Sequence, residues 1–336
     1  MSRLPVYLEI TNRELRSIAI KKGFSKLEAE NPQILHFDSL LQNEEEKRAI
    51  AIVEFLQKNY PHANGIYFNV PAQSQFLREL NLPFSTAAKV KEILPFELDS
   101  LLPIPVDETV FDFTLKPKIK EQTPNESQLS VCAVEKKALL PWLNLFSAAG
   151  FSILGMYSPV AALANTFSLY EEEDALLLHV GSAFSYLVLF EKKVPVAMRS
   201  IPLGYDIAVH KLSKRWKKSV EESEQMFRNL PSQTGLPASA YKKYFDIPKA
   251  QAKIFADTVQ EFATSLANEV ELTLKLSSVD VDSIPILCSS DLHEPAIIEN
   301  LLRDNLAQPI AAAAYEKFPV KDPAYFLLQA AASPSP

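Results

Sequence analysis

The residues of this 336-residue chain that could do chemistry are few and dispersed. None of the five histidines (His36, His62, His179, His210, His293) stands at metal-ligand spacing from a cysteine or carboxylate. Cys132 and Cys288 each sit in an apolar, strand-like run and read as buried free thiols of a reducing compartment. A phosphate cradle needs glycines close together, so that backbone N–H groups can approach the anion. The chain has only seven: Gly23, Gly65, Gly150, Gly155, Gly181, Gly204 and Gly235. No two are spaced to build a Walker A loop, a Gly-x-Gly-x-x-Gly turn or a Gly-x-Ser-x-Gly elbow. Lys214-Arg215-Trp216-Lys217-Lys218 could touch phosphates or headgroups, but cations also suit a solvated helix end. Glu171-Glu172-Glu173-Asp174 reads as a solvated turn before a strand. These residues point toward assembly rather than reaction.

Composition narrows the partners. A net charge of −7 and a pI near 5.4 argue against nucleic acid or an anionic membrane as the main one. The length allows two domains, each with its own core. The start, MSRLPVYLEITNREL, lacks an apolar signal-peptide core, and no run approaches the roughly twenty apolar residues of a spanning helix. The expectation is a soluble chain, cytoplasmic if bacterial.

The elements form two halves. Pro5–Ile10, a polar turn and Leu15–Ile20 predict a hairpin, followed by Lys21-Lys22-Gly23 and a further extended run. Ala175–Val180, Gly181-Ser182-Ala183, Ser185–Phe190 and Val194–Ile201 repeat that order 170 residues later, suggesting a duplicated α/β core. Helices are predicted over 44–59, 87–94, 137–149 (stopped by Gly150), 159–169, 206–216, 220–228, 250–276, 295–305 and 325–332. Strands are predicted over 65–70, 76–82, 109–115, 128–134, 153–157 and 284–288. The polar stretch 117–127 reads as a loop, 230–248 as a Pro/Ser/Tyr-rich connection, and 333–336 as a disordered tail.

The segment Leu82–Phe113 carries the most information. It holds Pro83-Phe84, a helical piece with Pro95-Phe96-Glu97, a Leu-Leu-Pro-Ile-Pro elbow and an acidic-led strand. This resembles the PilM and GspL proteins, actin-like components of the inner-membrane platforms of type IV pili and type II secretion. Ile66–Leu82, Val131–Gly150 with Tyr157–Leu163, Arg199–Gly204 and Glu221–Met226 are similar to further family segments. The resemblance covers almost the whole chain, and is nearer to the soluble PilM proteins than to GspL, which continues into a membrane helix. It implies an α/β, actin-like (ASKHA) duplicated core with an FtsA/PilM-type insertion. The first core subdomain would comprise 1–65 and 151–172 with a closing helix at 323–332. The partner-binding insertion would span 66–150, and the second half 173–322.

In the family, phosphates lie against two hairpin turns and the adenosine against a third loop. The first Asp-x-Gly appears here as Glu9-Ile10-Thr11, the second as His179-Val180-Gly181, and the Gly-Gly loop as Cys288-Ser289-Ser290. Thr11 would crowd a phosphate and strain a left-handed turn, and His179 is a poor magnesium ligand. Glu9 could still reach magnesium through water, while Ser289 and Ser290 offer hydroxyls without close backbone approach. The expectation is a pseudo-ATPase with no cofactor, although residual Mg·ATP binding stays open. The resemblance implies as partner the cytoplasmic N-terminal peptide of a single-span, PilN-like inner-membrane protein, with the machine's ATPase as a second. The chain would then be cytoplasmic and bound to the inner membrane through partners. Phe76, Leu82, Phe84, Phe96 and Ile104 are candidates to line a groove between insertion and core. Phe76, Leu82 and Phe96 read equally as the insertion's own core. The competing readings are a working actin-like ATPase or small-molecule kinase, and an FtsA-like division protein. The latter expects a basic amphipathic C-terminal helix, which Tyr325–Ala330 lacks.

Overall fold

The computed structural model describes residues 4–23, 26–37, 44–84, 86–116, 126–231, 236–278, 280–292 and 296–333. His293, Gly235, residues 117–125 of the expected loop 117–127 and the tail residues 334–336 lie outside them, and Ser127 begins a strand.

Continuous apolar runs such as Ala175–Val180 become strands buried on both faces, as in the middle of a covered sheet. The first half builds a sheet in the order β3-β2-β1-β4-β8 from β1 (Pro5–Ile10), β2 (Glu14–Lys22), β3 (Leu27–His36), β4 (Gly65–Asn69) and β8 (Ile153–Tyr157). The second half builds β11-β10-β9-β12-β13 from β9 (Ala175–Val180), β10 (Ser185–Glu191), β11 (Val194–Ile201), β12 (Ile286–Ser290) and β13 (Ile310–Ala312). Both run third-second-first-fourth-fifth within their half, with two antiparallel and then two parallel junctions. The echo in the sequence is thus a repeated topology.

Between β4 and β8 the chain inserts a third sheet, β5-β7-β6, from β5 (Gln75–Leu82), β6 (Thr109–Leu115) and β7 (Ser127–Glu135). Helix α2 (Ala87–Leu101) covers one face of it. Helices α1 (Glu45–Asn59) and α3 (Lys136–Ala148) pack on the first sheet. After α4 (Pro159–Asn165), the second sheet is covered by α5 (Asp206–Trp216), α6 (Val220–Arg228), α7 (Ala238–Phe245), α8 (Lys249–Leu274) and α9 (Ala296–Arg303). The closing helix α10 (Phe326–Ala332) lies between the halves. Its Leu328 packs with Tyr7 and Ile18 of the first sheet, and Phe326 and Leu327 with Leu177 and Val188 of the second.

Several expectations need correction. β4 belongs to the first sheet and Phe146 of α3 is buried in the first core, so the insertion is narrower than 66–150. α2 passes through Pro95 rather than stopping at Leu94. Val90, Leu94 and Leu98 recur every four residues and are all fully buried, which offsets the hydrogen bond that proline cannot donate. The connection 230–248 contains α7, held by Tyr241 edge-on to Phe255. The short run at 310–312 is a strand because β12 supplies a parallel partner.

Candidate functional site

Two concavities stand beside the positions picked out by the sequence. The first, a cavity of about 330 Å³, opens between the turn after β1 and the turn after β9. Glu9, Thr11, Gly181 and Asp291 line it. Thr11 closes its own turn: its hydroxyl accepts from the N–H groups of Arg13 (3.2 Å) and Glu14 (3.1 Å), and its N–H donates to Glu14 O (3.0 Å). Three backbone donors that could have faced an anion are thereby consumed. The left-handed strain expected at Thr11 does not arise, since Thr11 is not among the residues with positive φ. Gly181 keeps the tight second turn, where a Cβ would lie 2.9 Å from Phe184 O.

His179, Ser289 and Ser290 lie beneath the cavity. His179 Nδ1 is 3.0 Å from Ser289 Oγ, and Nε2 is 3.3 Å from Asp291 Oδ1. Ser290 N–H donates to the Tyr315 hydroxyl (3.0 Å), and its own hydroxyl accepts from Leu292 N–H (3.2 Å). Ser289 and Ser290 at the end of β12, and Asp291 and Leu292 after it, are buried.

A cluster that the sequence did not reveal fills the floor. Arg16 is wholly buried; it donates to Glu14 from Nε (2.7 Å) and Nη2, and from Nη1 to Asp291 (2.5 Å), Glu9 (3.3 Å) and the Ala324 carbonyl (3.3 Å). Arg13 pairs with Asp206 (2.7 Å) and Glu224 (2.5 Å). Arg228 pairs with Glu224 (2.9 Å), reaches Glu14 (3.6 Å) and donates to the Tyr205 hydroxyl (2.7 Å). Burial pushes Glu9 up to about 8, more than the neighbouring Arg16 pulls it down. Burial opposes ionisation of Glu14 too, but Arg16, His36 and Arg228 outweigh it and hold that carboxyl at about 2. Asp291 is likewise held well below the usual carboxylate range, by Arg16 and then His179 against its burial. The one local signal was Arg16 inside an apolar strand run, where a charge must find a partner. Burial thus disfavours the charged form of Glu9, and Asp291 is engaged by Arg16.

The second concavity, about 600 Å³, lies between the inserted sheet and the first half. Its lining includes Leu77, Cys132 and Val134 from the inserted sheet and Met156, Tyr157 and Ala161 from the first half. Five consecutive residues of β6, Val110–Thr114, also line it. Successive side chains leave opposite faces of a strand, so the groove must wrap the edge of β6. β6 is an edge strand, paired only with β7 among the described residues.

None of the five expected contact residues lines this groove. Phe76 and Phe84 pack against the insertion's core, and Leu82 is part of it, 4% exposed. Ile104 is half-buried in the elbow, and Phe96 stands 78% exposed on α2. The reason is register. Phe76, Leu80 and Leu82 share the face covered by α2, whereas Leu77, one residue along, faces the groove opposite Cys132.

The family model for type II secretion system protein L matches residues 39–242, more than half of the chain. A search of curated proteins finds no match. Among solved structures, the PilM–PilN type IV pilus biogenesis complex is similar with a TM-score of 0.77 and 17% identity, over 98% of both chains. MreB5 of Spiroplasma citri bound to ADP is similar with a TM-score of 0.54 and 9% identity, over 98% of this chain and 95% of that one. The ethanolamine utilization protein EutJ from Carboxydothermus hydrogenoformans gives 0.52 and 10%, over 98% and 91%. At such identities the likeness is one of fold, and that fold is actin-like. The chain belongs to the type II secretion system protein L family and is a PilM/GspL-type actin-like protein.

Proposed function

We propose that this protein is a non-catalytic scaffold of a pilus or secretion platform, docking an extended cytoplasmic tail of a single-span membrane protein. The groove beside β6 carries this reading. An open strand edge supplies unpaired backbone donors and acceptors, and pockets on either side can sort alternate side chains of an added strand. The seven residues of β6 offer about 23 Å of such edge. Leu77, Val110, Phe113 and Met156 make the lining partly apolar, suited to an uncharged, extended segment. The PilM structure of like fold is a complex with PilN, which supports a membrane partner of that kind. Attachment to the membrane would follow from the partner, since among the described residues no helix is long and apolar enough to cross one. The cleft supports a pseudo-ATPase, because the turn that should receive phosphate is closed by Thr11.

The test is co-purification with the tail of a neighbouring single-span membrane protein. Val110→Asp, a half-exposed groove residue, should abolish capture and leave the melting temperature unchanged. Phe96→Asp, on the far side of the insertion, should capture as the unaltered protein does. Loss with Phe96→Asp and retention with Val110→Asp would overturn the groove.

A further inference from the structure

The halves meet along a line of charge. Arg13 and Arg16, from the first hairpin, reach Asp206, Glu224 and Asp291 of the second half, and Arg228 returns to Glu14. All four of these pairs cross between the halves. Arg16 also holds the Ala324 carbonyl at the start of the closing segment, tying in a third element. The cluster occupies the floor beneath the two hairpin turns, the place where the actin-like resemblance puts a nucleotide.

We propose that this ionic seam is a latch that holds the two halves in one fixed relation without any ligand. Arg16 is pre-set for the role: Glu14, two residues along the same strand, grips two of its nitrogens and aims the third at Asp291. Guanidinium groups with fixed fork geometry and several carboxylates specify one alignment, because a slipped interface would leave buried charges unpaired. Gly181 O and Ser182 O accept from the N–H groups of Tyr205 (3.2 Å) and Asp206 (2.9 Å), so the second turn is braced against the helix bearing Arg13's partner. The halves thus need no phosphate between the turns to align them. This inference rests on the non-catalytic reading of the cleft and adds its mechanical consequence.

The experiment places spin labels on the full chain at Glu54→Cys on α1 and Lys253→Cys on α8, both exposed, in a Cys132→Ser background. The expected result is one narrow distance distribution without ligand, unchanged by Mg·ATP. Glu224→Gln, which unlinks Arg13 and Arg228 at a partly exposed carboxylate, should add a longer-distance population; Arg13→Lys should not. Several distances in the unaltered chain, or a distribution that Mg·ATP changes, would overturn the latch. So would an unchanged distribution in Glu224→Gln. Turnover of Mg·ATP at constant distance would instead sink the non-catalytic reading and leave the latch standing.

Discussion

Replacing Glu9 with glutamine should make the protein more stable, and increasingly so as the pH rises. Glu9 is buried beside Arg16 and faces the carboxyls of Asp291 and Glu14, with the phenols of Tyr157 and Tyr186 also within its field. Burial raises its carboxyl from an ordinary 4.5 to about 8, against the pull of Arg16. A raised folded-state value contributes stability that is full below the unfolded value and lost as pH climbs through the folded one. Glu9 should therefore tilt the stability curve downward between about 4.5 and about 8. Glu14 and Asp291 have lowered values, so their contributions are present above the unfolded carboxylate range and lost on acidification. The two effects occupy separate windows. One proton across the Glu9 window is worth about 1.4 kcal/mol per pH unit, so at neutral pH the loss is of the order of 3 kcal/mol. Glutamine cannot ionise, yet its carbonyl can still accept from Arg16. Urea unfolding of both proteins at about pH 5, 7 and 9 gives the difference directly. It should widen by roughly 4 kcal/mol from the lowest to the highest pH. Parallel curves would show that Glu9 is ionised in the folded protein, and the cluster would then carry one more negative charge than argued.

Other outcomes follow from the same geometry. Arg16→Met should cost about 3–5 kcal/mol, because Glu14 and Asp291 are left as buried, unbalanced carboxylates, and denaturant unfolding measures it. Gly204→Ala should cost about 3 kcal/mol by the same assay: the new Cβ would lie 2.0 Å from Ser182 O and drive the second hairpin turn out of place. Val110→Asp should lose the membrane partner's tail in pull-downs without a change in thermal stability, while Phe96→Asp keeps it.

Local pattern made much of the fold legible. The hairpins starting each half, the α8 stripe of Ile254, Val259, Phe262, Leu266 and Val270, and the Gly-poor turns all follow from neighbouring residues. The same local reading missed α7 and β13, whose packing partners Phe255 and β12 lie elsewhere in the chain. It also named Phe76, Leu82, Phe84, Phe96 and Ile104 for a groove that the structure lines with other residues. Phe76 and Leu77 are adjacent and both apolar, and only the docking of α2 on one face decides which of them meets the groove.

The sequence by itself determined the kind of elements, their order, the duplication and the loss of glycine at one expected phosphate turn and at the expected adenosine loop, because these depend on periodicity and on single residue types. Only the tertiary structure decided what replaced the glycines. Arg16 meets Asp291 across 275 residues of chain and Arg13 meets Glu224 across 211, and no local spacing encodes such meetings. They exist because two sheets of the same topology bring their first hairpins and closing loops together, where buried charge must be matched by opposite charge.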